Sequence, residues 1–296
     1  MKILIQFLFL ILFLPALVFP QEIASSFQSL IEDGDRHWDL RAAGVQESGP
    51  NPSHLDQAVA SYRHAIEIDS ESIAIRWRLM RAFFFKGEYL TVDNAEKRKI
   101  FDEGKTVGEE ALRLIRMEAS KRTGRSMDGA GPVDLSPVMK DSPDVIAAFL
   151  WSSANWGQWA LAYGKFQAVR RGAATKIRDL ATAVSLMDPN YAEGGGYRVL
   201  GRLHHQTPYV PFITGWASNR EAVEFLRQAY RIGPRNSLNR LYLAEALWDE
   251  DTDLRKEAIK IAEDLVNDAS RPEFQIEDRK AKERARSLLD QWKKNY

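Results

Sequence analysis

The chain has 296 residues with 41 basic and 41 acidic side chains, and this zero balance argues against a broad electrostatic surface for nucleic acid or anionic lipid. It has no cysteine, which excludes disulfides, thiolate metal sites, cysteine nucleophiles and lipid attachment through cysteine. An apolar share of 45% with eight tryptophans suffices for a real core, in one large domain or two smaller ones.

Met1 and Lys2 form a minimal charged start, and residues 3–18 are apolar apart from Gln6 and Pro15. Polar sequence resumes at Gln21 and Glu22. We read residues 1–24 as a secretory signal peptide, because the apolar run falls short of the ~20 residues a transmembrane helix prefers. An uncleaved anchor is the alternative. Either way the remainder, 27–296, is expected to be exported as one helical repeat domain. The lack of cysteine suits a periplasm, where a needless thiol would be oxidised.

Residues 27–43 place Leu30, Ile31, Trp38 and Ala42 on one side of a helix. A loop follows, and Ser53 is the expected N-cap of the next helix. There Ala58, Tyr62, Ala65 and Ser70 are spaced 4, 3 and 5, completing a first hairpin. The second hairpin has Trp77, Met80, Arg81 and Phe84, spaced 3, 1 and 3, and a partner helix over about 94–117 with Gly104, Gly108 and Ala111 as small contact positions. Residues 119–142 hold Gly124, Gly129, Gly131, Pro132 and Pro137 and are expected to form an irregular surface excursion.

The third hairpin repeats the 3, 1, 3 spacing with Trp156, Trp159, Ala160 and Tyr163, and its partner over 175–187 carries Leu180 and Ala183. The fourth has Tyr197, Leu200, Gly201 and His204, then Ala222, Leu226, Ala229 and Pro234, with an insertion at 207–218. The glycine lets a second helix come close, alanines line the crossing, and proline ends the pair. The fifth has Leu243, Ala244 and Leu247, then Ala258, Ala262, Leu265 and Pro272. A last helix over 277–292 turns Ala281, Ala285, Leu288 and Leu289 inward and is charged outside, as the cap of a stack must be. No alternating strand pattern occurs.

These pairs resemble tetratricopeptide repeats. The resemblance implies an all-α, right-handed α-solenoid of about five helical hairpins with insertions and a C-terminal capping helix. A narrower resemblance, over about half the chain, is to the T-component of TRAP transporters. It rests on 151–163 with Asn155-Trp156-Gly157-Gln158-Trp159, on Met187-Asp188-Pro189-Asn190-Tyr191, on the run from Gly194-Gly195-Gly196-Tyr197-Arg198 to Leu200-Gly201-Arg202, on 208–215, and on 241–245. It implies a periplasmic accessory that works beside a solute-binding protein, for organic acids or other hydrophobic anions. Lipid-anchored members would need a cysteine after the signal, and this chain has none.

Familiar chemistry fails on spacing. Six residues lie between Gly157 and Gly164 where a phosphate loop needs four, and Phe166 replaces the required Ser or Thr. The Gly194-Gly195-Gly196 run lacks the third glycine and the preceding strand of a dinucleotide site. His204 and His205 are adjacent, so on a helix they point about 100° apart and share no metal easily. We therefore assign no catalytic residue, no metal ligand and no cofactor, and expect a non-enzymatic module. An enzyme would need a perturbed acid or base in a cleft.

Two sets of residues remain as candidates for binding. Arg198 and Arg202 are four apart on one helix with His205 beside them, and together with Trp156 and Tyr163 they could hold a carboxylate and its apolar tail. The bland alternative pairs these arginines with Glu193 or Glu221. Tyr209, Phe212 and Trp216, in the insertion, form a candidate partner interface. The expected partners are a periplasmic solute-binding protein or other envelope protein, a small organic anion, and further copies of the chain, with no nucleic acid. The rival reading is a generic tetratricopeptide scaffold for envelope protein assembly.

Overall fold

The computed structural model describes residues 20–43, 52–207 and 214–295. The expected signal segment before Pro20 lies outside the described residues, as do Tyr209 and Phe212. Every regular element among the described residues is helical. In chain order they are α1 (Pro20–Asp39), α2 (Ser53–Ile68), α3 (Ile73–Phe85), α4 (Asn94–Thr123), α5 (Pro132–Leu135), α6 (Pro143–Tyr163), α7 (Lys165–Arg170), α8 (Ala173–Met187), α9 (Gly195–Gln206), α10 (Asn219–Ile232), α11 (Ser237–Glu250), α12 (Arg255–Asn267) and α13 (Gln275–Asn295). No helix among them is long and apolar enough to cross a membrane.

The pairs α1/α2, α3/α4, α6/α8, α9/α10 and α11/α12 pack as five successive hairpins. Side-chain caps start several of them. Ser72, Asp93 and Ser218 each accept a backbone N–H three residues on, and Asn236 accepts from Leu238 and Asn239. Ser53 does not cap α2 but begins it, and Pro52 holds the cap position. Pairs are drawn together at small residues. A Cβ on Gly201 of α9 would stand 2.4 Å from Leu226 Cγ of α10, and one on Gly196 would stand 2.9 Å from the carbonyl of Ala181 on α8. Gly157, in the middle of α6, faces open space. Gly157→Ala should therefore stabilise the protein by about 0.5–1 kcal/mol through lost unfolded-state entropy, read as a raised denaturation midpoint.

The segment 119–142 differs from a surface excursion. α4 continues past the expected end to Thr123 and stops at Gly124, whose φ of 66° is left-handed. Ala119, Met127, Leu135 and Met139 then sink into the central core beside Phe149, Leu180 and Val184. Its glycines and prolines shape the backbone while its apolar side chains fill the space between α4 and α8.

One set of helices runs parallel. Arg78 and Phe85 of α3 meet Asp35 and Trp38 of α1, while Trp77 and Phe84 of α3 meet Asp144 and Trp151 of α6. The stack curls far enough that its last helix returns to its first pair. α13 packs Ala281, Ala285, Leu288 and Leu289 on the C-terminal core, as the sequence predicts for a cap. Its first turn also inserts Ile276 into the N-terminal core with Leu55, Tyr62 and Phe85. Arg41 Nη2 donates to the carbonyl of Glu273 at 2.6 Å and to Glu277 Oε1 at 3.0 Å, and Lys280 Nζ donates to Glu88 Oε1 at 2.6 Å. The outer face of α13 thus makes a clasp where only solvent is expected.

Candidate functional site

Two of the sequence-predicted groove residues face α4. Trp156 is buried under Lys105 and Lys176, whose ammonium groups lie 5.2 and 4.2 Å from its ring. Tyr163 stacks on Trp159 at 4.7 Å and donates its hydroxyl to Asp102, which also accepts from Trp159 Nε1 at 2.7 Å. These aromatics pack the second hairpin onto the third.

The other three face α11. Arg202 donates to Glu245 and lies 4.2 Å over the Tyr242 ring. His205 Nε2 is 2.9 Å from Asp249 Oδ2. Arg198 Nη1 donates to Asn239 Oδ1 at 2.9 Å and to the carbonyl of Ala192 at 3.2 Å. The five residues therefore do not form one groove, because the α9 arginines and the α6 aromatics lie on surfaces that meet different neighbours. Neither arginine uses Glu193 or Glu221 as its hydrogen-bonded partner. Glu193 instead accepts from Arg271 Nη1 at 2.9 Å and Asn236 Nδ2 at 2.6 Å.

Trp216 turns back onto its own hairpin. The His204 ring meets it edge-on at 5.0 Å and the Arg178 guanidinium lies 5.1 Å above it. Burial lowers the His204 pKa, and Ser218 N donates to its Nδ1 at 3.3 Å.

The α9 arginines open onto two tyrosines that local spacing did not single out. Tyr89 stands in a π-turn, Lys86–Leu90, that follows α3, and Tyr242 stands on α11. Burial raises both hydroxyls above the usual tyrosine pKa, and the two interact electrostatically with each other and with Arg198. Neither phenol oxygen has a hydrogen-bond partner among the described residues. Burial also lowers the Arg198 pKa, with the tyrosines and Glu193 opposing. Glu245 is buried and accepts from Arg202 of α9 and from Arg284 Nε of α13 at 3.1 Å, so it ties three helices to this wall. A signal for Tyr242 and Glu245 was present. Glu245 stands on the first helix of the fifth pair at the place Arg202 holds in the fourth, 43 residues earlier, and Tyr242 lies one turn before it.

A separate cavity of about 320 Å³ opens between the start of α3, the end of α4 and the start of α6. Its wall mixes Glu71, Glu118 and Asp144 with Lys121 and Arg122, and none of the predicted residues lines it. Among the described residues no three His, Asp or Glu side chains converge to hold a metal ion.

The arrangement defines an all-α stack of paired helices with a polar and aromatic inner wall. No family model and no curated protein matches the sequence. Among solved structures, the chain is similar to the TPR2AB-domain:pHSP90-complex of yeast Sti1, with 11% identity, coverage of 89% of this chain and 99% of that chain, and a TM-score of 0.27.

Proposed function

We propose that this chain is a non-enzymatic periplasmic binding module, the accessory component of a TRAP-type solute uptake system that associates with a substrate-binding protein. One observation carries the reading: the hydroxyls of Tyr89 and Tyr242, pushed up by burial and without protein hydrogen-bond partners among the described residues, interact electrostatically with Arg198, and Arg202 lies over the Tyr242 ring. Two phenol donors and a guanidinium suit a carboxylate, and the tyrosine rings suit the apolar tail of an organic acid. The rival, a generic envelope scaffold, would engage proteins and leave this wall empty.

Native mass spectrometry of the protein purified from its own envelope tests the choice. The expected result is an organic anion or a solute-binding protein travelling with it. The double substitution Tyr89→Phe with Tyr242→Phe should weaken anion affinity about a hundredfold or more, since hydrogen bonds to a charged group contribute about 1.5–3 kcal/mol each. A bare chain, or one carrying only unrelated envelope proteins, would leave the scaffold reading in its place.

A further inference from the structure

The neutral total conceals one strongly uneven stretch. Between residues 145 and 178 there are five basic residues, Lys165, Arg170, Arg171, Lys176 and Arg178, and no aspartate or glutamate. The stretch contains α7, six residues bracketed by Gly164 and Gly172, whose φ angles of 87° and 63° are positive. A Cβ at either glycine would meet nothing within 4 Å, so both ends of α7 lie open at the turn of the third hairpin, while Ala168 rests it on the central core. Its larger apolar side chains are outside. Phe166 is 74% exposed, Leu161 in the last turn of α6 is 66% exposed, and Val169 is 38% exposed.

Lys176 pairs with Glu109 and Arg178 with Asp179, which leaves Arg170 and Arg171 to act outward. Arg170 and Arg171 are exposed and have no ion pair among the described residues. The carboxylates that adjoining α4 turns this way are occupied. Asp102 accepts from Trp159 and Tyr163, and Glu109 pairs with Lys105 at 3.4 Å and Lys176 at 3.8 Å. Arg98 of α4 adds a cation, with its Nε donating to the carbonyl of Ala162 at 2.9 Å.

We infer that the α7 tip docks on an anionic lipid surface, with Phe166 and Leu161 entering the headgroup boundary and Arg170 and Arg171 on lipid phosphates. Charge complementarity and size both favour this occupant. Three apolar side chains on an open turn fall far short of the ~800 Å² per partner that a stable protein interface needs. They suit insertion by about 5–10 Å beside basic residues. The balanced charge elsewhere makes the attraction local, so it orients the molecule with the end of the third hairpin toward the lipid.

Vesicle sedimentation of the full chain tests this at low and high salt, comparing phosphatidylcholine alone with equal parts phosphatidylcholine and phosphatidylglycerol. Where the apolar run at 3–18 is retained it adds to sedimentation on both lipids, so the part of the anionic surplus that the tip substitutions remove reports the basic tip. A clear surplus that salt erases is expected. Phe166→Ser should reduce partitioning onto anionic vesicles about tenfold. Arg170→Gln and Arg171→Gln should each reduce it about fivefold. All three side chains are exposed, and unchanged melting curves confirm that the variants fold. Equal sedimentation on the two vesicle types, or a surplus untouched by the substitutions, overturns the proposal. So does loss of an acidic soluble protein partner in these variants without any loss of vesicle binding.

Discussion

Arg41→Leu is expected to destabilise the protein by about 3–5 kcal/mol, because it leaves Glu277 as a buried carboxylate without its counterion. Arg41 is 6% exposed, hydrogen-bonds Glu273 and Glu277, and lies 4.5 Å over the Trp38 ring. A loss of that size lowers the melting midpoint by roughly 10 °C in a chain of this class. It should also depend on pH. Burial raises the Glu277 pKa above the usual glutamate value, and Arg41 opposes that rise. A carboxyl with a raised folded pKa contributes its full stability below the unfolded-state pKa, and the contribution is lost as pH rises through the folded value. Removing Arg41 takes away the opposing charge. The deficit of the variant should therefore be greatest at neutral pH and shrink on acidification. Melting curves across that window would show it. A deficit constant with pH would assign the effect to lost packing on Trp38 and Phe85 instead.

Asn239→Ala should cost about 2–3 kcal/mol, since it strands the carbonyl of Glu193 and takes an acceptor from Arg198, while the carbonyls of Ala229 and Gly233 keep the backbone N–H groups of Gly233 and Asn236. The side chain is 0% exposed. Its Nδ2 donates to the carbonyls of Glu193, Ala229 and Gly233, at 3.0, 2.8 and 3.1 Å. Its Oδ1 accepts from Arg198. One of those carbonyls belongs to a costly piece of backbone. Ala192 and Glu193 have φ of 50° and 56°, and Gly194 follows at 79°, so three left-handed residues precede α9. Asn239 holds that turn from the next hairpin. Denaturant unfolding should register the loss. Amide exchange should rise at the start of α9 more than at its end. Equal protection along α9 would argue that the turn holds itself.

The helix pairs were legible because crossing helices demand a fixed spacing of large and small residues. Tyr197, Leu200, Gly201 and His204 announce a close approach, and Gly201 has no room for a Cβ. The 119–142 stretch misled because glycine and proline describe backbone shape, while burial was written in Met127, Leu135 and Met139. The site was half legible. Arg198 and Arg202 could be placed together by their spacing of four, but which neighbour their face meets depends on how successive pairs rotate. That rotation sends Trp156 toward Lys105 and Tyr163 toward Asp102, Arg202 toward Tyr242 and Glu245, and Arg198 toward Asn239. Tyr89 was hidden because a π-turn has no period to read. The return of α13 was hidden for a simpler reason: Arg41 and Glu277 are 236 residues apart, beyond any local pattern.

That return sets an order of events during synthesis. Domains made on a ribosome begin folding from the N-terminus. Here the opening hairpin cannot be finished when it emerges, because its core keeps a slot for Ile276 and Arg41 has no carboxylate to meet. The last helix supplies both. A chain cut short would leave an apolar slot on its first hairpin and a stranded arginine beside it. The clasp thus makes completion of the polypeptide visible at its beginning, and incomplete copies would present themselves to chaperones and proteases.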